Sequence, residues 1–377
     1  AHPMLETLTL DQLVAATEEW HTLIAAGPGS GKTRVMVAKA SHLLTKYDTA
    51  RVCAVTFTRE SAAELRMRTL AACSESDKNR LAFGTFHSLA MKQLQRVGPL
   101  PPLVGHGQRL NLVVRAMRAS GLDALELEEA FRLIEGSKAG FLGHADEREM
   151  GDELARAYAT LLERNHMIDF QDIILRANEG MRTGELKPIA AHFMLVDEFQ
   201  DTDKVQYEWL MAHVRNGTRA TVVADDDQCV YSWRGALGYP GMEQYANELQ
   251  ARRFTIATNY RSHSEIVTLA SHVIAGNTRR IDKQFRASRG DGGHVQFRIF
   301  PTPVEEAEAL CEAARERPEG WAVLARTNYD LHVIESALLI SGIPYQREGG
   351  SLWDEPHVSH LMCLLRCVGS RKHQHAG

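Results

Sequence analysis

The sequence predicts an α/β protein built around a parallel sheet. Short apolar or β-branched runs alternate with helical stretches along most of the chain. One of those runs leads into the octet Ala26-Gly27-Pro28-Gly29-Ser30-Gly31-Lys32-Thr33 and then a helical stretch, so strand, glycine-rich loop and helix follow in order. The stretch 91–190 breaks the alternation and reads as consecutive amphipathic helices, as an insertion between strands of one sheet would.

In chain order, the first strand is His21–Ala26, followed by the glycine-rich loop and a helix over Arg34–Leu44. Strands Arg51–Phe57 and Leu81–Gly84 come next. The breaker Gly98-Pro99-Leu100-Pro101-Pro102 opens helices at Gln108–Ala119, Leu125–Glu135 and Glu149–Asn165. Strands resume at Phe193–Val196, Ala220–Ala224 and Phe254–Thr258. After Tyr260 a new strand–helix pattern starts, with strands expected at Val295–Phe300 and Trp321–Arg326. The expected organisation is a first lobe from 1–90 and 191–260, a helical insertion over 91–190, and a second α/β unit over 261–377.

Composition fits this reading. With 377 residues, 44% hydrophobic and 24% charged, the chain is neither disordered nor fibrous, and its length suits two or three domains. No apolar run approaches the ~18 residues of a spanning helix. The opening Ala1-His2-Pro3-Met4 lacks a secretory pattern, and six cysteines are too sparse for a disulfide scaffold. A reducing, cytoplasmic compartment is therefore expected. The net charge of −5 means that any hold on nucleic acid must come from local patches.

The glycine-rich octet reads as a phosphate-binding loop. Gly27, Gly29 and Gly31 let the backbone turn so that N–H groups, including that of Ser30, face phosphate oxygens. Lys32 would reach the terminal phosphates and Thr33 would give its hydroxyl to Mg²⁺. Ala26 stands where the usual pattern has glycine. Hydrolysis also needs a metal carboxylate and a group that activates water. Asp197 and Glu198, at the end of the apolar run Phe193–Val196, supply both: Asp197 for Mg²⁺, Glu198 for the water. Lys32 and Asp197 lie 165 positions apart, a gap the helical insertion explains.

Further blocks follow in order. They are Gln12 after Leu10-Asp11, Thr56-Phe57-Thr58-Arg59-Glu60-Ser61-Ala62-Ala63-Glu64, Gly84-Thr85-Phe86-His87-Ser88, and Asp169-Phe170-Gln171-Asp172. Then come Phe199-Gln200-Asp201-Thr202-Asp203, the run Asp225-Asp226-Asp227-Gln228-Cys229-Val230-Tyr231-Ser232-Trp233-Arg234-Gly235-Ala236, and Asn259-Tyr260-Arg261-Ser262. Ala325-Arg326-Thr327-Asn328, Gly342-Ile343-Pro344-Tyr345 and Gly349-Gly350 continue the series. The set resembles the UvrD/Rep/PcrA-type superfamily 1A DNA helicases over essentially the whole chain.

The resemblance implies a P-loop NTPase (RecA-like) lobe, 1A, carrying a helical insertion, 1B, with the first part of a second RecA-like lobe, 2A. It implies ATP-dependent movement on single-stranded or partly duplex DNA, in the 3′→5′ direction, with ATP and Mg²⁺ as cofactors. Gln228 would sense the γ-phosphate, and Arg261 would act as an arginine finger. Gln12 would read the adenine edge while Tyr260 and Arg34 pack on its faces. Phe57, Tyr231 and Trp233 resemble the family's base-stacking residues, with His87 and Arg234 on the same strand path. The basic stretch 251–289 suits phosphate contacts and equally a solvated helix face.

Departures are Arg59-Glu60-Ser61, where the family has Asn-Lys-Ala, Ala224 for glycine and Cys229 for serine. The family's last motor blocks have no match after Asn328, so the chain is expected to be an N-terminal portion. Full activity would then need the C-terminal motor half or a partner subunit. Alternatives are a nucleotide- and DNA-binding module without turnover, or the motor arm of a helicase–nuclease complex. His357, His360, Cys363 and Cys367 have the spacing of one helix face, open to a metal reading, but their apolar neighbours favour a core reading.

Overall fold

The computed structural model describes residues 3–317, 319–348, 358 and 361. The chain divides into two compact units, Ala1–His294 and Val295–Gly377. The first holds a six-stranded parallel sheet of β1 (Thr22–Ala26), β2 (Val52–Thr56), β3 (Leu81–Thr85), β4 (Phe193–Val196), β5 (Arg219–Ala224) and β6 (Arg252–Ile256), in the order β3-β2-β4-β5-β1-β6. Its inner strands read as continuous apolar runs because both faces are covered.

The pleat sends alternate residues to two cores. Cys53, Val55, Met194, Val196 and Val222 face one side. There they meet α4 (Phe86–Gln95), α8 (Asp172–Thr183), α9 (Lys204–Arg215) and α10 (Gly238–Glu248). Ile24, Val52, Ala54, Leu195 and Val223 face the other. That side carries α1 (Leu10–Thr17), α2 (Lys32–Lys46) and α3 (Arg59–Ala72).

The insertion has a core of its own. Leu112, Val113, Leu133, Ile134, Leu154 and Tyr158 close together from α5 (His106–Ala119), α6 (Leu127–Ala139) and α7 (Ala145–Arg164). Its two connections are tied to each other, with Val104 N donating to Ile168 O at 2.9 Å and Ile168 N to Pro102 O at 3.1 Å. The separate core is narrower than 91–190, since α8 returns to the sheet.

Residues 261–294, expected to open the second lobe, pack in the first unit. Here β7 (Thr258–Asn259) pairs with β8 (Arg286–Ala287), and α11 (Ser264–Ile274) lies between them in sequence. In the second unit α12 (Pro303–Glu316) and α13 (Asn328–Ile340) bury Ala307, Cys311 and Glu335. Glu335 accepts from Tyr345 and pairs with Arg347. The strands expected at Val295–Phe300 and Trp321–Arg326 do not form. A strand exists only as part of a ladder, and no described segment pairs with either; Phe297, Ile299 and Leu324 stand exposed. No helix among the described residues is long and apolar enough to cross a membrane.

Candidate functional site

The chemistry-bearing residues gather at the carboxyl ends of the parallel strands, where loops leave the sheet. After β1 the chain turns through Gly29 (φ 65°) and Gly31 (φ 86°), left-handed positions that favour glycine, and Gly31 caps α2. The loop is braced from below and from the side. Ser30 Oγ donates to Gly27 O at 2.7 Å, and Gln12 Nε2 donates to Ser30 O at 2.9 Å. Asn259 Nδ2 donates to Pro28 O at 2.6 Å, and Tyr260 N to Gly29 O at 2.9 Å. A Cβ on Gly31 would meet Gln12 Nε2 at 2.8 Å, and one on Gly29 would meet Arg261 Cβ at 2.8 Å. Thus Gln12, Tyr260 and Arg261 all adjoin the phosphate loop. Arg34, in the first turn of α2, donates to Thr7 O at 2.7 Å.

Strand β4 delivers the two carboxylates. Asp197 is held by its N–H to Val55 O, and its Oδ1 accepts from Glu198 N at 2.9 Å. Glu198 takes a left-handed backbone (φ 49°), a cost a glutamate bears only where surrounding contacts impose it. Both of its oxygens sit 3.0 Å from Lys32 Nζ. Burial and the neighbouring Glu198 charge push the Asp197 carboxyl up to about 6. Two crowded carboxylates fit a divalent cation, which relieves their repulsion.

A hydrogen-bond chain runs on from there. Gln200 Nε2 donates to Glu198 Oε2 at 2.8 Å, Asp225 N donates to Gln200 Oε1 at 3.0 Å, and Gln228 Nε2 donates to Asp225 Oδ2. Lys32 is thereby connected to Gln228, three residues before Tyr231. Beyond lies an aromatic row. Phe57 stacks on Tyr231 at 5.8 Å between ring centroids and 19° between planes. Trp233 is 58% exposed with the Arg234 guanidinium 4.5 Å from its ring centroid. His87 stacks on the half-exposed Phe170 at 3.9 Å and 15°.

The UvrD/REP helicase N-terminal domain model matches residues 9–101 and 106–248. The chain belongs to the UvrD/Rep helicase family. The UvrD-like helicase C-terminal domain model matches residues 254–376. DNA helicase II of Haemophilus influenzae is 29% identical over 385 residues, covering 93% of this chain and 52% of that protein. ATP-dependent DNA helicase PcrA of Leuconostoc citreum is 29% identical over 93% of this chain and 51% of its own. ATP-dependent DNA helicase Rep of Escherichia coli is 28% identical over 92% and 56%. The chain spans about half the length of these relatives.

Several residues of this UvrD/Rep family site take roles that sequence reading does not assign. Phe285 covers the phosphate loop so closely that a Cβ on Gly27 would fall 2.1 Å from its ring. Gln200, buried, bridges the Glu198 and Asp225 loops. Asp225, Asp226 and Asp227 converge closely enough to hold a cation, and the Lys283 ammonium is that cation. It lies 3.0 Å from Asp225 and 3.1 Å from Asp227, and it also bonds Asp226. Burial would lower the Lys283 pKa, but the Asp225 and Asp226 charges outweigh it and hold it above the usual value. Arg280 adds a two-pronged bond to Asp227, both contacts 2.9 Å. These pairs join the Gln228 loop to the segment that carries Phe285. Phe170 extends the aromatic row by its stack on His87. The candidate metal ligands His357, His360, Cys363 and Cys367 lie outside the described residues, as does Gly349-Gly350.

Proposed function

We propose that the chain is the ATP-binding and DNA-gripping part of an ATP-dependent DNA helicase or translocase. The observation that carries this reading is the unbroken chain Lys32–Glu198–Gln200–Asp225–Gln228, which links the phosphate loop to the loop bearing Tyr231, Trp233 and Arg234. In the proposed organisation, residues 1–90 and 191–260 form lobe 1A, 91–190 form 1B, and 261–377 belong to a second lobe whose opening segment, 261–294, packs in the first compact unit.

The loop N–H groups and Lys32 would hold the phosphates, Thr33 and Asp197 the Mg²⁺, and Gln12, Arg34 and Tyr260 the base. Magnesium-bound ATP supplies the phosphoanhydride whose cleavage drives the motor. Lys32 is spoken for by Glu198, so it must exchange that carboxylate for phosphate oxygens when nucleotide binds. The exchange frees Glu198 to accept the proton of the attacking water. Gln200 and Gln228 pass the rearrangement to the aromatic row, where Phe57, Tyr231, Trp233 and His87 would hold bases by stacking. Arg261, beside Gly29, would add positive charge at the transition state.

The deciding measurement is ATP hydrolysis by the chain with and without single-stranded DNA, with Lys32→Ala as control. DNA should raise the rate of the unaltered chain and leave Lys32→Ala unmoved. A folded chain whose turnover ignores DNA would count against the motor reading.

A further inference from the structure

A cleft of about 910 Å³ opens between α6, α8 and α9, on the side of the sheet away from the phosphate-loop helix. Its floor is apolar, with Leu175, Met181, Leu186 and Val205, and no aromatic side chain lines it. Five cations and two carboxylates surround it. Arg182 is paired with Glu179, Arg215 with Glu208 at 3.4 Å, and Lys138 with Asp172 at 2.7 Å. That leaves the exposed ammoniums of Lys187 and Lys204 without a carboxylate partner among the described residues.

Lys204 is unusual in its placement. It is the first residue of α9, directly after the N-cap Asp203, whose carboxylate accepts from Gln206 N at 2.8 Å. Its side chain crosses Gly140 at the carboxyl end of α6, with Nζ 3.5 Å from where a Cβ would stand, which places the ammonium at the mouth of the cleft.

The cleft adjoins the turn that carries Trp233 and Arg234. Leu237 N donates to Thr202 O at 2.9 Å, anchoring the Trp233–Arg234 turn two residues before Lys204. On the other side Phe141 packs under Gly235 of the same turn. Lys138, Ala139, Leu175 and Val205 also line a smaller cavity beneath His87, so the cleft and the aromatic row share a wall.

We propose that this cleft carries the phosphodiester backbone of single-stranded DNA past the stacking residues, with Lys187 and Lys204 contacting phosphates. The inference rests on the DNA-binding reading above. Continuity with the aromatic row favours nucleic acid over an acidic protein segment, and the lack of aromatic lining makes this a track for phosphates rather than bases.

The test compares oligo(dT) of about 6 and about 16 nucleotides, spanning the usual range of single-strand site sizes, on the full chain and on Lys187→Glu/Lys204→Glu. Affinities are measured against salt concentration. Each phosphate contact contributes about 0.7 to the log–log slope, so the double variant should lose about 1.4 from the slope of the longer oligomer only. The Lys187→Gln/Lys204→Gln pair, which keeps side-chain bulk, should show the same loss if charge reversal unfolds the chain. An unchanged slope for the longer oligomer overturns the proposal, as would be found if the cleft served an acidic protein. Failure of the unaltered chain to bind even the short oligomer would instead overturn the DNA reading, and this proposal with it.

Discussion

At the scale of single residues, the site is arranged around a lysine with two claims on it. Lys32 bonds both oxygens of Glu198 at 3.0 Å, and in the proposed mechanism that charge-assisted pair opens before Glu198 acts on water. Glu198→Gln separates the two roles. The amide keeps the shape and can still meet Lys32 through its oxygen, but it holds the ammonium less firmly and cannot take a proton. Nucleotide affinity should be preserved or increased while turnover falls by about 10²–10⁴, the usual contribution of general-base catalysis. Parallel measurements of equilibrium nucleotide binding and single-turnover hydrolysis separate these effects. Equal losses in both would show that Glu198 serves only to build the pocket.

At the scale of elements, a short acidic turn and a distant segment are held together by charge. Lys283 has no exposed side-chain surface and three carboxylates around it, so its removal leaves negative charges buried without a partner. Lys283→Met should cost about 3–5 kcal/mol, the usual penalty for breaking a buried ion pair from one side. The midpoint of urea unfolding reads this directly, and a loss within the range of a surface substitution would show the cluster to be solvated. Nothing in the local sequence around Lys283 distinguishes it from any helix-face lysine. Its meaning comes from residues 225–227, more than fifty positions earlier. The same limit hides Phe285 and the bridging role of Gln200. By contrast, β1, β2 and β4 are legible because a strand covered on both faces must be apolar throughout, and the phosphate loop because its glycines are required by backbone geometry. The segments 295–300 and 321–326 show the converse. Their apolar patterns suit strands, but pairing is a property of two segments and cannot be read from one.

At the scale of the whole molecule, the parallel sheet gathers the loops that follow its strands at one end, while α9 ends just before β5 at the other. One of the groups held there is His213, fully buried at the end of α9, with Nδ1 2.7 Å from Trp209 O and its ring 4.2 Å from that of Trp209. Burial pushes its pKa down to about 4, below the ordinary 6.5 of an unfolded chain. Between those values the unfolded state binds a proton that the folded state refuses, so His213 takes stability away as pH falls through this window. Other groups titrate nearby. Burial likewise lowers His87 to about 4, while Asp197 and Asp201, raised to about 6 by burial and the Glu198 charge, favour the folded state as pH falls. These opposing contributions mask one another in the pH profile of the unaltered chain, but they cancel in a difference between two proteins that share them. The cost of His213→Leu, measured by urea unfolding, should therefore shrink from neutral pH to about pH 4, by up to roughly 3 kcal/mol. A cost that stays level across that range would mean that water reaches the imidazole and the C-terminal end of α9 is open.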